Sequence, residues 1–413
     1  SQRRSVAMLV AREQLARGPH SVVVLCAVGD SDGPEAQQPL VLKVTRLSQS
    51  ATAAADRTVA AAAAAAGVPP GSSAAERVLR EVQLSGRALG PFVVASHGWL
   101  GSQAPPQAML LLEYLPGGDL GLLLERQGPI GPQAARFYVG CAALGLEALH
   151  GAGVVHRDMK PENLCVDQAG YAKVVDLGHA RVLPESGRAY TMLGTPEFVS
   201  PEIFCGEGHG TPSDLWALGA TLYTLLLAAH PYGGATPSDI YAEALRGPPF
   251  YPQVVMPAAA AELISACLRR DPSERPTAAA VWEYDLFAAG AFPRAEALSK
   301  AAVLGRTASL PFVPRLRSAF DSSHFDRPEP SDEEWSDPED NDDDPGGQTP
   351  AAVRRGEARP CGGTAGSGDG DGGAGGGGGG LGDLSGAACG QLRREDFRPA
   401  GQVCASLDDL LTP

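Results

Sequence analysis

The stretch TPSDLWALGATLYTLLLA (211–228) is apolar on nearly every side. A surface helix keeps a polar face, so a helix apolar all round has to be enclosed by other elements. The chain must therefore build a lobe of helices around it. GPQAARFYVGCAALGLEALHGAG (131–153) is amphipathic and ends in glycine as a helix C-terminus should, and PAAAAELISACLRR (257–270) reads as a further helix. The N-terminal part has a different period. VAMLV, SVVVLCAV and LVLKV, within residues 6–47, read as strands separated by Gly/Pro/Asp clusters. A charged helix is expected at 74–84, then PFVVAS and AMLLLEY as strands, and the short strands VVH, LCVD and KVVD follow the 131–153 helix. The expected fold is α+β in two lobes, a small β-rich one preceding a larger α-helical one, with a pocket at their junction. No internal repeat is visible.

Apolar residues are not spread evenly over the 413 positions. Residues 51–66 are almost all alanine and run into Gly67-Val68-Pro69-Pro70, a low-complexity insertion (51–70) expected at the surface. The stretch SDEEWSDPEDNDDD (331–344) is acidic and GGAGGGGGG (372–380) follows, so 331–413 is read as disordered, with a fraying end at LRREDF onward. The formal net charge of −15 argues against a nucleic-acid partner, which needs concentrated Lys/Arg. Much of the acid sits in 331–344, so the folded part is nearer neutral. Eight scattered cysteines show neither zinc spacing nor a disulfide framework, which reads as free thiols in a reducing, cytoplasmic setting. There is no membrane-length apolar run and no signal peptide, and the start without Met reads as a fragment.

The chemistry is concentrated in VVHRDMKPENLCVD (154–167) and KVVDLGHAR (173–181). Phosphoryl transfer leaves an enzyme mainly positioning and charge neutralisation. Asp158 can accept or orient a hydroxyl's proton, Lys160 can neutralise a transferring phosphate, and Asn163 offers an uncharged oxygen to a hard Mg²⁺. Asp176 follows Asn163 by thirteen residues, where a carboxylate could bridge metal to phosphates, and Lys43 lies on the third strand.

These strings resemble the catalytic loop and metal-binding motif of protein kinases, H-R-D-x-K-x-x-N and D-F-G, with Leu177 in place of Phe. The resemblance spreads over roughly residues 10–290. It implies a catalytic domain at 6–287, with a small lobe at about 6–112 and a large lobe at about 116–287, using ATP and Mg²⁺. Glu81 matches the helix glutamate that pairs with Lys43. Leu112 takes the gatekeeper position, and Glu113 and Leu115 match the hinge whose backbone binds adenine. GTPEFVSPE (194–202) matches the end of the activation segment, with Ser200 where Ala is usual. Arg275 matches the arginine that pairs with Glu202. The chain looks most similar to the cyclic-nucleotide-dependent kinases of the AGC group, above all the cGMP-dependent ones. SLPFVPRLRSAFDSSHFD (309–326) resembles their tail (288–330), and Phe325 matches the phenylalanine closing the adenine pocket. Lys160 with Thr195 implies Ser/Thr specificity. Thr191 matches the activation-loop phosphosite, facing Arg77, Arg157 and Arg181. Asp119 and Glu162 match acids that read basic residues upstream of the target. The implied partners are Ser/Thr-bearing protein substrates and an activating kinase or a regulatory subunit or domain.

The pattern also departs. The glycine loop ARGPHSVV (16–23) keeps Gly18 and Val23 but has Ala16 and Ser21 where Gly is usual, and Val41 narrows the adenine roof. Cys165 is expected as that site's apolar floor. Ser85 and Ser96 fall where large apolar residues pack in a column with His156 and Leu177. These features favour an alternative, a pseudokinase acting as a scaffold, which the intact Lys43, Asp158, Asn163 and Asp176 oppose. His20, His97, His179 and His209 are read as structural or exposed, and Cys141 and Cys267 as core.

Overall fold

The structure, a computed structural model, describes residues 7–18, 21–30, 38–46, 80–84, 87, 89–103, 106–184, 187–190, 194–252, 256–325 and 398–399. The insertion 51–70, Arg77, Ser85, Thr191 and the acidic and Gly-rich stretches lie outside the described residues.

The three N-terminal β-branched runs form strands β1 (Ala7–Arg17), β2 (Ser21–Asp30) and β3 (Gln38–Arg46), antiparallel in sequence. Residues 80–84 are helical (α1). Strands β4 (Ser96–Gln103) and β5 (Pro106–Glu113) complete this lobe, in the order β1-β2-β3-β5-β4. Successive side chains of a strand point to opposite faces. In β3 this sends Leu40, Leu42 and Val44 into a cluster with Leu9, Cys26, Met109 and Leu111, and leaves Val41 and Lys43 on the cavity side.

The larger lobe holds α2 (Leu120–Gln127), α3 (Pro132–Gly151), α4 (Pro201–Phe204), α5 (Thr211–Leu227), α6 (Pro237–Arg246) and α7 (Ala258–Cys267). Helix α5 is the enclosed one, buried along almost its whole length and packed on α3 and α7. Between α3 and α5 run the short strands β6 (Val154–Val155), β7 (Leu164–Val166), β8 (Ala172–Val174) and β9 (Arg181–Val182), paired β6–β9 and β7–β8. They place the 156–163 loop and Asp176 below the sheet of the small lobe.

One expectation needs correction. PFVVAS is not one strand: residues 91–92 turn, Val93 makes a lone parallel bridge to Val174, and β4 starts only at Ser96. The apolar Phe92 and Val93 are buried because they seat the small lobe on β8, where Val174 N donates to Phe92 O and Val94 N to Val174 O. At the far end, Arg398–Pro399 forms strand β10, antiparallel to β4 at Gly98 and Trp99. An outer strand presents unpaired backbone groups that another segment can satisfy.

After α8 (Lys300–Leu304) the chain straps both lobes. Arg306 ion-pairs Asp167 at 2.7 Å, Tyr114 Oη donates to Asp321 O at 2.7 Å, and Ser322 Oγ donates to Glu13. Phe320 and Phe325 pack on the cluster of Leu15, Leu25, Val41 and Tyr114.

Candidate active site

A cavity of about 630 Å³ opens between the lobes. Leu15, Ala16, Gly18, Val23 and Val41 line its roof side, Leu112, Glu113 and Leu115 come from the β5 connection, and Cys165 and Phe325 close its apolar end. Gly18 N donates to Ser21 O at 2.8 Å, where β1 ends and β2 begins, so most of the poor glycine loop lies on these two paired strands. The Glu113 carboxylate is turned away, accepting from Lys173 Nζ at 2.8 and 2.7 Å and from Ala95 N at 2.7 Å. Phe325 stacks on Tyr114 with ring centroids 5.9 Å apart. Burial pushes the Cys165 thiol up, so it is an apolar wall rather than a thiolate.

Lys43, Glu81, Asp176, Asp119 and Glu162 line the polar part of the same cavity. Lys43 Nζ donates to Glu81 Oε1 and Oε2, each at 2.8 Å, and to Asp176 Oδ1 at 2.9 Å. Burial alone would lower the Lys43 pKa, but Asp176 and Glu81 together hold it above its ordinary value, so it stays charged. Asp176 stands two residues beyond β8, in the left-handed region at φ 57°, where Oδ1 caps Gly178 N at 3.3 Å. Lys43 first, against the opposing effect of burial, holds its carboxyl well below the usual range. Asp119 caps α2 by accepting from Leu122 N at 2.8 Å, and Glu162 is exposed.

Asp158, Lys160, Thr195 and Asn163 stand beside this lining as a connected set. Asp158 Oδ1 accepts from Thr195 Oγ1 at 3.1 Å and from Thr195 N at 3.3 Å. Lys160 Nζ donates to Thr195 Oγ1 at 2.7 Å and lies 3.3 Å from Asp158 Oδ2. Asn163 Nδ2 donates to Asp158 O at 2.6 Å and Oδ2 at 3.0 Å, leaving its amide oxygen uncommitted to that carboxylate. Burial would raise the Asp158 pKa, but His179, Lys160 and His156 hold it far below the usual carboxylate range.

The loop is fixed from below. Fully buried Asp214 on α5 accepts from His156 N at 2.9 Å, Arg157 N at 2.8 Å and His150 Nε2 at 2.7 Å, which holds Arg157 at φ 71°. His156 is buried and bridges Val175 O and Asp158 N, as a packed residue should. Leu177 is buried in the large core cluster, whereas Ser96 is only half-buried, opposite Leu112. Arg275 donates to both Glu202 oxygens at 2.7 and 2.8 Å and lies over Trp216. Arg157 donates Nε to His179 O at 2.6 Å. Among the described residues its buried Nη1 and Nη2 have no hydrogen-bond partner, and the charges of Arg80 and Arg181 act on it.

Two further histidines stand near Arg157 and Asp158. His209 is buried, and His179 brings Nδ1 to 3.5 Å from Asp158 Oδ2. No local pattern marks either, because both placements depend on how separate loops meet.

Asn163 and Asp176 offer amide and carboxylate oxygens, the donors a hard divalent cation takes, and the Asp176 side chain is 44% exposed toward the cavity. The residues present therefore fit a magnesium nucleotide.

The protein kinase domain family model matches residues 49–287, more than half of the chain and beginning after β3. The chain is 38% identical over 170 residues to the cGMP-dependent protein kinase, isozyme 1, of Drosophila melanogaster, covering 40% of this chain and 22% of that protein. It is 42% identical over 138 residues to the cGMP-dependent protein kinase egl-4 of Caenorhabditis elegans, covering 33% of this chain and 18% of the relative. It is 32% identical over 229 residues to the serine/threonine protein kinase ypkA of Aspergillus fumigatus, covering 54% of this chain and 35% of the relative. The matches thus span about a third or less of the relatives' own length.

Proposed function

The chain belongs to the protein kinase domain family, and from that membership we propose that it transfers the γ-phosphoryl of ATP to serine or threonine of protein substrates. The observation that carries this reading is the pair of hydrogen-bonded sets Lys43–Glu81–Asp176, which lines the cleft, and Asp158–Lys160–Thr195, tied to the Asp176 strand end through Asn163, whose carbonyl accepts from Val175 N. A scaffold has no need of both sets. The family and the similar kinases support cyclic-nucleotide-type signalling as its setting.

The nucleotide's base fits the apolar end under Val41 and over Cys165, with the backbone of Glu113 and Leu115 as its polar edge. Lys43, oriented by Glu81, meets the α- and β-phosphates. Asn163 and Asp176 would hold Mg²⁺, which when bound would neutralise the phosphate charge. Asp158 orients the acceptor hydroxyl and takes its proton, and Lys160, anchored on Thr195, meets charge developing on the transferred group. Asp119 and Glu162, on the cleft's rim, suit a substrate with basic residues upstream of the acceptor. The Nη groups of Arg157 support phosphate on Thr191 as the activating mark we propose, and the part of Arg181 and Arg77 in it rests on the resemblance alone.

One assay tests this: phosphate incorporation into a basic Ser/Thr peptide from Mg-ATP. Asp158→Asn is expected to lower kcat by ~10²–10⁴-fold. Equal rates for the two proteins would reject the enzyme reading, and a Thr191→Ala protein as active as wild type would reject the phosphosite.

A further inference from the structure

Asp158 is only 6% exposed, and its oxygens are crowded. Thr195 N and Oγ1 serve Oδ1. Asn163 Nδ2 serves Oδ2, with Lys160 Nζ at 3.3 Å and His179 Nδ1 at 3.5 Å. A carboxylate offers about four lone-pair sites. A hydroxyl that is to hand its proton to Asp158 must therefore displace one of these donors.

The donors are not equally replaceable. Lys160 is also fastened to Thr195 at 2.7 Å, Asn163 to the Asp158 carbonyl at 2.6 Å, and Thr195 contributes through its backbone as well. Among the described residues the His179 ring makes no other hydrogen bond or ion pair. Its contact is the longest of the set, and its side chain is 30% exposed against 21% for Lys160, so it is the donor that solvent reaches most readily. Its root is fixed, since Leu177 and Gly178 are buried and Arg157 Nε donates to His179 O at 2.6 Å. The ring can leave by side-chain rotation alone.

We propose that His179 is a positioning residue occupying the side of Asp158 Oδ2 where the acceptor hydroxyl has to bind, so that it restrains phosphoryl transfer until its ring swings out. The inference rests on the kinase reading. In the exchange the His179 N–H passes to water and the acceptor O–H takes its place on Oδ2, with no covalent bond altered.

The test compares the full chain with His179→Ala and His179→Gln, using the basic Ser peptide. His179→Ala is expected to raise kcat several-fold with KM for ATP unchanged. His179→Gln, which keeps an N–H donor, returns kcat toward wild type. Loss of a merely structural residue would not raise kcat. The ring ¹⁵N resonances of His179 read the contact without turnover, and Asp158→Asn is expected to shift Nδ1. An unshifted Nδ1, or a wild type that turns over with no gain in His179→Ala, overturns the restraint alone. No turnover in any protein overturns the kinase reading and the restraint with it.

Discussion

At the scale of single residues, His209 ties stability to pH. It is 2% exposed beside Arg157, and burial first, then that arginine, lower its pKa from 6.5 to about 4. The folded state thus resists protonating a group the unfolded chain protonates readily. The neutral ring's contribution is complete above pH 6.5 and is lost as pH falls toward 4, at most about 3 kcal/mol over that window. Urea unfolding at pH 7.5 and 4.5 is expected to show a smaller acid loss in His209→Gln than in wild type; equal losses would contradict it. Residue roles were unevenly legible. Asp158, Asn163 and Asp176 stand in strings that resemble kinase motifs, and the resemblance implies their chemistry. His179 and His209 carried no such signal, since a histidine's neighbours come from other loops.

At the scale of elements, the 309–325 strap depends on places where the chain beneath it has no side chain. Gly118 sits at φ +72°, and a Cβ there would overlap the His324 carbonyl; Gly170, at φ +91°, faces Phe312 O in the same way. Gly118→Ala therefore adds left-handed strain of about 1–2 kcal/mol and pushes the strap outward. Limited proteolysis is expected to cut within 309–325 faster in Gly118→Ala than in wild type, and an unchanged digestion rate would refute the dependence. The elements with a sustained period, β1 to β3 and helices α3, α5 and α7, could be read directly from it. PFVVAS misled because buried apolar residues in a connection imitate a strand, and a two-residue strand such as β10 has no period to read.

At the scale of the whole molecule, the sheet lobe and the helical lobe meet along Phe92–Val174 and the strap, and the cleft lies between them. The candidate catalytic groups all lie within residues 43–195, so the long C-terminal extension is not expected to carry chemistry. Removing residues 327–413 deletes β10 but none of those groups, and kcat is expected to stay within about twofold in the peptide assay, since edge pairing at β4 touches no catalytic side chain. Loss of most activity would place a required element in that extension. The sequence by itself determined the two-lobed α+β class and the enclosed helix, because local periodicity is a property of neighbouring residues, and its resemblance to kinase motifs marked the acids and lysines of the chemistry. Only the tertiary structure decided that Lys43 meets Glu81 and Asp176, that the Glu113 carboxylate turns to Lys173, and that His179 stands on Asp158. Those contacts join residues far apart in the chain or on separate loops, and their geometry is set by how the lobes pack rather than by any stretch read alone.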